Sequence, residues 1–215
     1  MNEPLSHAAT LTELSNLPII RGALVRLDQE LPHALCYHSA QHTRDVLSEA
    51  LRFALADGRG PRELLLIAIA AAYHDLGYLE RYEKNEPVGA DLAEAVMRAE
   101  GDYSDDEIVE VRNIILSTQV SQQVSGLRRT QRTALAAYVM DADWGSFGRD
   151  DFFEKCDQLI EETGASADAF YERTLQLVTG HRWLTPAAHG LREEKKQRNL
   201  QELRQRLSEP VGLET

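Results

Sequence analysis

The sequence predicts an all-α chain, a single helical domain with ionisable residues buried at its centre. Three observations carry this. Apolar residues recur at helical spacing, and no segment alternates as a half-buried strand does. No proline occurs between Pro87 and Pro186, which leaves a long span free for helices. The run Leu64-Leu-Leu-Ile-Ala-Ile-Ala-Ala-Ala-Tyr73 is almost wholly apolar and ends on His74-Asp75. Two ionisable groups at the end of a buried segment are costly unless they have a partner.

The elements follow in order. Residues 38–57 predict a helix with Val46, Ala50, Phe53 and Ala54 on one stripe. Asp57-Gly58 ends it, and Gly60-Pro61 starts the apolar helix with proline at a tolerated first position. Gly77 is expected to mark that helix's end. Pro87 opens a helix to about Glu100. Ser104-Asp-Asp-Glu107 is a capping box ahead of Ile108, Val111, Ile114 and Ile115. Residues 117–131 read as a polar loop and 132–143 as a buried helix. Amphipathic helices follow over 150–162 and 166–183, the latter taking in Tyr171, His181 and Trp183 as core or cleft lining. The last segment, 193–207, is dense in charge, with Leu200, Leu203 and Leu207 on a narrow stripe and Lys195-Lys196 expected on a solvated face.

At 215 residues the chain suits one domain spanning 1–215, with a core over about 33–150 and helices over 151–209 packed on it. Apolar residues make up 43% and charged residues 27%, an ordinary globular balance. The apolar run is too short to span a bilayer, and the first residues lack a leader pattern, so a cytoplasmic location is expected. A formal charge of −12 argues against a nucleic-acid polymer or an anionic membrane as partner. It permits a small anionic substrate where a metal reverses the local sign, and it leaves a homo-oligomer open. Cys36 and Cys156 are far apart and read as two buried thiols.

His42 shares a helical face with Val46 and Ala50, and His38 is expected one turn earlier on the same face. A lone histidine there reads as a core imidazole bonded to a carbonyl. Two histidines, a buried His-Asp pair and a further acidic pair ask for more. That pair is Asp141-Ala-Asp143, at the end of the apolar stretch 134–140. Asp143 lies below Val139 and Leu135 at helical spacing, whereas Asp141 faces another side and reads as a helix-end carboxylate. Two imidazoles and two carboxylates suit a divalent ion such as Mn, Fe, Co, Ni, Zn or Mg.

The phrases Tyr37-His38-Ser-Ala-Gln-His42-Thr, Ala72-Tyr73-His74-Asp75-Leu-Gly77-Tyr78 and Asp141-Ala-Asp143 together resemble the HD superfamily of metal-dependent phosphohydrolases. The resemblance covers about residues 33–150 and implies that family's helical bundle, with the metal site in its core. It implies His42, His74, Asp75 and Asp143 as ligands of one ion. The Tyr-His-x-x-x-His phrase is also similar to that of cyclic-nucleotide phosphodiesterases, which makes His38 the candidate general acid; the other reading is a helix-start histidine beside the ligands. The absence of histidines between His74 and His181 argues against a second metal. In Glu83-Lys84-Asn85-Glu86, Glu86 is a candidate to orient the attacking water. Lys84, then Arg81 or Arg44, is a candidate phosphate-binding cation; the alternative is a solvated charged loop. Trp144 is assigned to packing or to a pocket wall. The expected activity is hydrolysis of a small phosphate ester or anhydride, with a nucleotide among the options. The competing expectation is a metal-dependent ligand-binding sensor without turnover.

Overall fold

A computed structural model describes residues 6–123 and 126–208 of the protein. The leader reading at Met1–Leu5 and the expected helix end at Glu209 lie outside the described residues. Among the described residues ten α-helices follow one another: α1 (His7–Ser15), α2 (Pro18–Glu30), α3 (Ala40–Ala56), α4 (Pro61–Tyr73), α5 (Asn85–Glu100), α6 (Asp105–Ser117), α7 (Ala136–Asp143), α8 (Phe152–Thr163), α9 (Ala167–Gly180) and α10 (Pro186–Ser208). Two 3-10 turns, Leu76–Leu79 and Gly145–Gly148, follow α4 and α7. The all-α expectation holds.

The apolar run becomes α4, and α4 is the axis of the fold. It packs against α2, α3, α5, α6 and α7. A helix contacted on every side needs an apolar surface all round, which is why its sequence shows so little amphipathic contrast. Ile67 through Ala72 are fully buried. Its start is as expected, with Gly60 as N-cap and Pro61 in the first position. The capping box at Ser104 and Glu107 also forms: the Ser104 hydroxyl accepts from Glu107 N–H and the Glu107 carboxylate accepts from Ser104 N–H.

Several boundaries differ from those expected, each for a physical reason. Two helices, α1 and α2, precede the first one read from the sequence; Ile19, Ile20, Ala23, Leu24 and Leu27 of α2 face the core. The third helix starts at Ala40 rather than 38, because Ser39 caps it by accepting from His42 N–H. His38 therefore precedes the helix. α4 ends at Tyr73, and Gly77 is not its cap. A Cβ at Gly77 would lie 2.0 Å from the Asn85 carbonyl oxygen, so the glycine lets the first turn of α5 dock on the turn after His74-Asp75. The expected loop over 117–131 contains a short antiparallel strand pair, β1 (Ser121–Gln123) with β2 (Gly126–Arg128). Helix α9 stops at Gly180, leaving His181 and Trp183 in the connection to α10.

α10 begins at Pro186, earlier than expected, and Lys196 is buried rather than solvated. Its ammonium donates to the His181 carbonyl at 3.1 Å and pairs with Glu193 at 2.9 Å, so the charge is satisfied inside the fold. Cys156 is buried and Cys36 half-buried, both as free thiols. Among the described residues, no helix is long and apolar enough to cross a membrane.

Candidate metal centre and adjoining cavity

Four side chains from three helical segments meet at the C-terminal end of α4. His42 comes from the first turn of α3, His74 and Asp75 from the end of α4, and Asp143 from the last residue of α7. His42 Nε2 lies 3.4 Å from Asp75 Oδ2 and 3.2 Å from Asp143 Oδ1; His74 Nε2 lies 3.2 Å and 3.8 Å from the same two oxygens. Ligands about 2.0–2.2 Å from one ion sit at roughly such separations from each other. His42, His74 and Asp75 are buried and offer donor atoms that all converge. Asp143 is 16% exposed in its side chain and closes the cluster on its open side.

The donor set fits a divalent cation. His74 Nδ1 donates to the Ala71 carbonyl at 2.8 Å, which fixes the tautomer and presents the bare Nε2 to the cluster. His74 Nε2 and Asp75 Oδ2 are buried with no hydrogen-bond partner. Buried polar atoms are seldom left this way, and an ion would partner both. Burial opposes a charged His74, but Asp75 and then Asp143 prevail and push its pKa up to about 9. Asp143 is held well below the usual carboxylate range: burial opposes this, but His42 and Arg129 outweigh it.

Asp141 is not part of the cluster. Its carboxylate accepts from the N–H groups of Leu184 and Thr185 and from the Thr185 hydroxyl, just ahead of α10. It is a carboxylate near the end of α7, as expected, and its partners lie in the connection ahead of α10, where the Thr185 hydroxyl in turn accepts from Ala188 N–H.

A cavity of about 490 Å³ opens beside Asp75 and Asp143 and runs toward α8 and α9. His38 and Glu86 line it near the cluster, and Phe147, Phe152, Phe170 and Leu177 form much of its far wall. Glu86, in the first turn of α5, keeps Oε2 buried and unpartnered. Its pKa is raised, first by burial and then by the charges of Asp75 and Asp143, which line the same cavity. Lys84 is exposed, in left-handed backbone at φ 56° as the N-cap of α5, and does not line the cavity. Arg81 is exposed too, and Arg44 pairs with Asp28 on the surface.

Two residues that sequence reasoning missed complete the centre. Arg129, just after β2, donates to Asp143 Oδ2 at 2.9 Å and to the Met140 carbonyl at 2.6 Å, and its guanidinium lies 3.8 Å from the Trp144 ring centre. Trp144 has both roles the sequence offers for it: it packs on Arg129 and walls the cavity. Glu162, near the end of α8, accepts from the backbone N–H of Tyr37 and of His38 at 2.9 and 3.0 Å and pairs with His38 Nδ1. The Tyr82 hydroxyl donates to it at 3.1 Å. Burial lowers the His38 pKa, but Glu162, with the charges of Asp75 and Asp143, outweighs it and the net shift is upward. Neither residue had a signal: one is an arginine in a polar stretch, the other a glutamate on an amphipathic helix.

The HD domain profile matches residues 39–146, half of the chain, and the match includes all four clustered side chains. The chain belongs to the HD domain family. Members of this family are generally metal-dependent hydrolases and bind divalent metals. Two solved structures share the HD fold of this protein. A structural-genomics protein from Lactobacillus plantarum is 18% identical, with a TM-score of 0.64, over 88% of this chain and 95% of the other. Bacillus subtilis YpgQ, solved in complex with ADP, is 17% identical, also at 0.64, over 96% of this chain and all of the other. At these identities the likeness carries the fold alone. No curated protein matches the chain.

Proposed function

We propose that this HD protein hydrolyses a small phosphate ester or anhydride, with nucleoside phosphates the first class to test. The observation that carries the reading is the cavity itself. One end reaches the donor set through Asp75 and Asp143, and the rest is mainly apolar and aromatic with Lys155 and Arg173 among its lining, a room for the non-phosphate part of a substrate. The ADP bound to YpgQ supports the choice of first substrates.

His42, His74, Asp75 and Asp143 would hold one ion. When bound, a divalent ion polarises a phosphoryl oxygen and makes water more acidic. The remaining work falls to the chain. Glu86 accepts a proton from the attacking water, and burial makes it a stronger base than an ordinary carboxylate. The water oxygen bonds to phosphorus as the bond to the leaving oxygen breaks. His38 gives that oxygen a proton from Nε2, while Glu162 fixes the opposite ring nitrogen. Arg129 holds Asp143 in place rather than touching substrate.

The test is turnover of nucleoside triphosphates, a nucleoside monophosphate and bis-p-nitrophenyl phosphate under Mn, Co, Ni, Zn and Mg, with metal content measured in parallel. The expected outcome is turnover in at least one pairing, with both metal and activity lost in His42→Ala and Asp143→Ala. Metal-replete protein that binds a nucleotide but never turns one over would replace this reading with a sensor. Protein with no metal in parent or variants would sink both.

A further inference from the structure

Among the described residues, eight buried side-chain polar atoms lack a hydrogen-bond partner, and four of them belong to two dipeptides, His74-Asp75 and Asn85-Glu86. Those dipeptides are pressed together by two glycines. A Cβ at Gly77 would meet the Asn85 carbonyl oxygen at 2.0 Å, and one at Gly89 would meet the Tyr73 carbonyl oxygen at 2.3 Å. The first turn of α5 is therefore docked directly on the end of α4, with no side chain between. The orphaned atoms of His74 and Asp75 are accounted for by an ion, and that of Glu86 by the attacking water. Asn85 Oδ1 is left over.

Asn85 is 4% exposed, lines the cavity, and has no protein partner for its side-chain oxygen. A buried amide oxygen without a partner loses its hydration and gains nothing in return. Leucine has nearly the same shape and would avoid that cost. The asparagine is thus a poor choice for packing and a good one for meeting something that enters the cavity. Its oxygen is an acceptor, and so is the carboxylate of its neighbour Glu86. Two adjacent acceptors do not suit a phosphoryl oxygen, which has no proton to give. They suit a water molecule, which has two.

We infer that Asn85 is a catalytic residue that aims the attacking water, accepting one of its O–H groups while Glu86 accepts the other. This rests on the hydrolytic reading above. As the water oxygen bonds to phosphorus, the proton on the Glu86 side transfers to Glu86. The proton on the Asn85 side stays on the oxygen and ends on the phosphate product. With both hydrogens held, the remaining lone pairs are turned away from α5.

The test uses Asn85→Leu, which keeps the volume and removes the acceptor, and Asn85→Asp, which restores an acceptor. Three measurements are made on the full chain: turnover of the substrate found for the parent, Tm of the metal-free protein, and water-proton relaxation of the Mn-loaded protein. The relaxation reports how long water stays beside the ion and does not depend on turnover. Asn85→Leu is expected to lower kcat by roughly 10- to 100-fold, with KM within about threefold. It should leave Mn affinity intact, leave Tm unchanged or raise it, and shorten water residence. Asn85→Asp should recover part of both kcat and residence. Unchanged kcat in Asn85→Leu beside an active parent overturns this inference and leaves the hydrolytic reading standing. A marked fall in Tm in both variants overturns it too, because Asn85 would then be structural. Should the parent itself fail to turn over, the hydrolytic reading fails, and unchanged water residence in Asn85→Leu overturns the role of Asn85 separately.

Discussion

The two ends of the site are built in opposite ways. At the donor cluster, His74 and Asp75 terminate a helix that is apolar on every side, and His42 and Asp143 sit on or beside buried stripes of their own helices. Each is placed by the segment it belongs to. At the supporting end, Arg129 comes from a polar stretch and Glu162 from the polar side of an amphipathic helix, and each acts on a residue of another element, Asp143 and His38. Local periodicity determines where a side chain points, but only packing between distant segments determines what stands behind it. The supporting residues should therefore tune the centre without defining it.

The largest effect that would break this contrast is at Arg129. Its side chain is 5% exposed and pairs with Asp143 at 2.9 Å. Removing one partner of a buried pair costs about 3–5 kcal/mol. Arg129→Ala should lower the Tm of the metal-free protein by roughly 10 °C. The loss should shrink when Mn or Co is added, because an ion then neutralises Asp143 instead. Differential scanning calorimetry with and without metal checks this. An equal loss in both states would mean that Arg129 supports α7 and the Trp144 face rather than the carboxylate.

How much of the centre was legible follows the same division. His42, His74, Asp75 and Asp143 were readable because burying an ionisable group on an apolar helix is costly and so conspicuous. The central helix, its start at Gly60-Pro61 and the capping box at Ser104 were readable because caps and stripes are local. His38 was placed in the right neighbourhood for the wrong reason: it stands before the helix, and α8 rather than α3 orients it. Gly77 was read as a helix stop because the sequence cannot show that another helix arrives against it. Lys196 was read as solvated because its carbonyl and carboxylate partners, His181 and Glu193, are set by how the connection folds.

A smaller effect belongs to Glu162. Glu162→Gln keeps the shape but removes the charge that raises the His38 pKa, so that pKa should fall. A general acid works only while protonated. The alkaline limb of kcat should therefore move to lower pH, with activity at neutral pH down by about 10- to 100-fold. The sign for stability is separate. His38 is raised above its ordinary 6.5, so its contribution is full below that value and fades as pH climbs through the raised one. Glu162 is lowered from 4.5 despite burial, so its contribution is full above that value and fades as pH drops. The stability gap between parent and Glu162→Gln should be widest between about pH 4.5 and 6.5. A gap independent of pH would show that the backbone bonds to Tyr37 and His38 carry the effect.

The smallest effect is expected at Lys84, where the contrast is sharpest. Its position in the sequence suggests a phosphate-binding cation, but its backbone carries another burden: among the described residues it is the only non-glycine at positive φ. Left-handed backbone costs an ordinary residue about 1–2 kcal/mol, and glycine gives back part of that gain through its larger unfolded freedom. Lys84→Gly should therefore stabilise the protein by roughly half a kcal/mol, a Tm rise of about 1–2 °C. With the side chain exposed and off the cavity wall, kcat should stay within about twofold, whereas Lys84→Ala should lack the rise because alanine keeps the strain. A loss of activity beyond tenfold in both variants, with Tm behaving as described, would return Lys84 to the substrate's phosphate and place one supporting residue within reach of sequence after all.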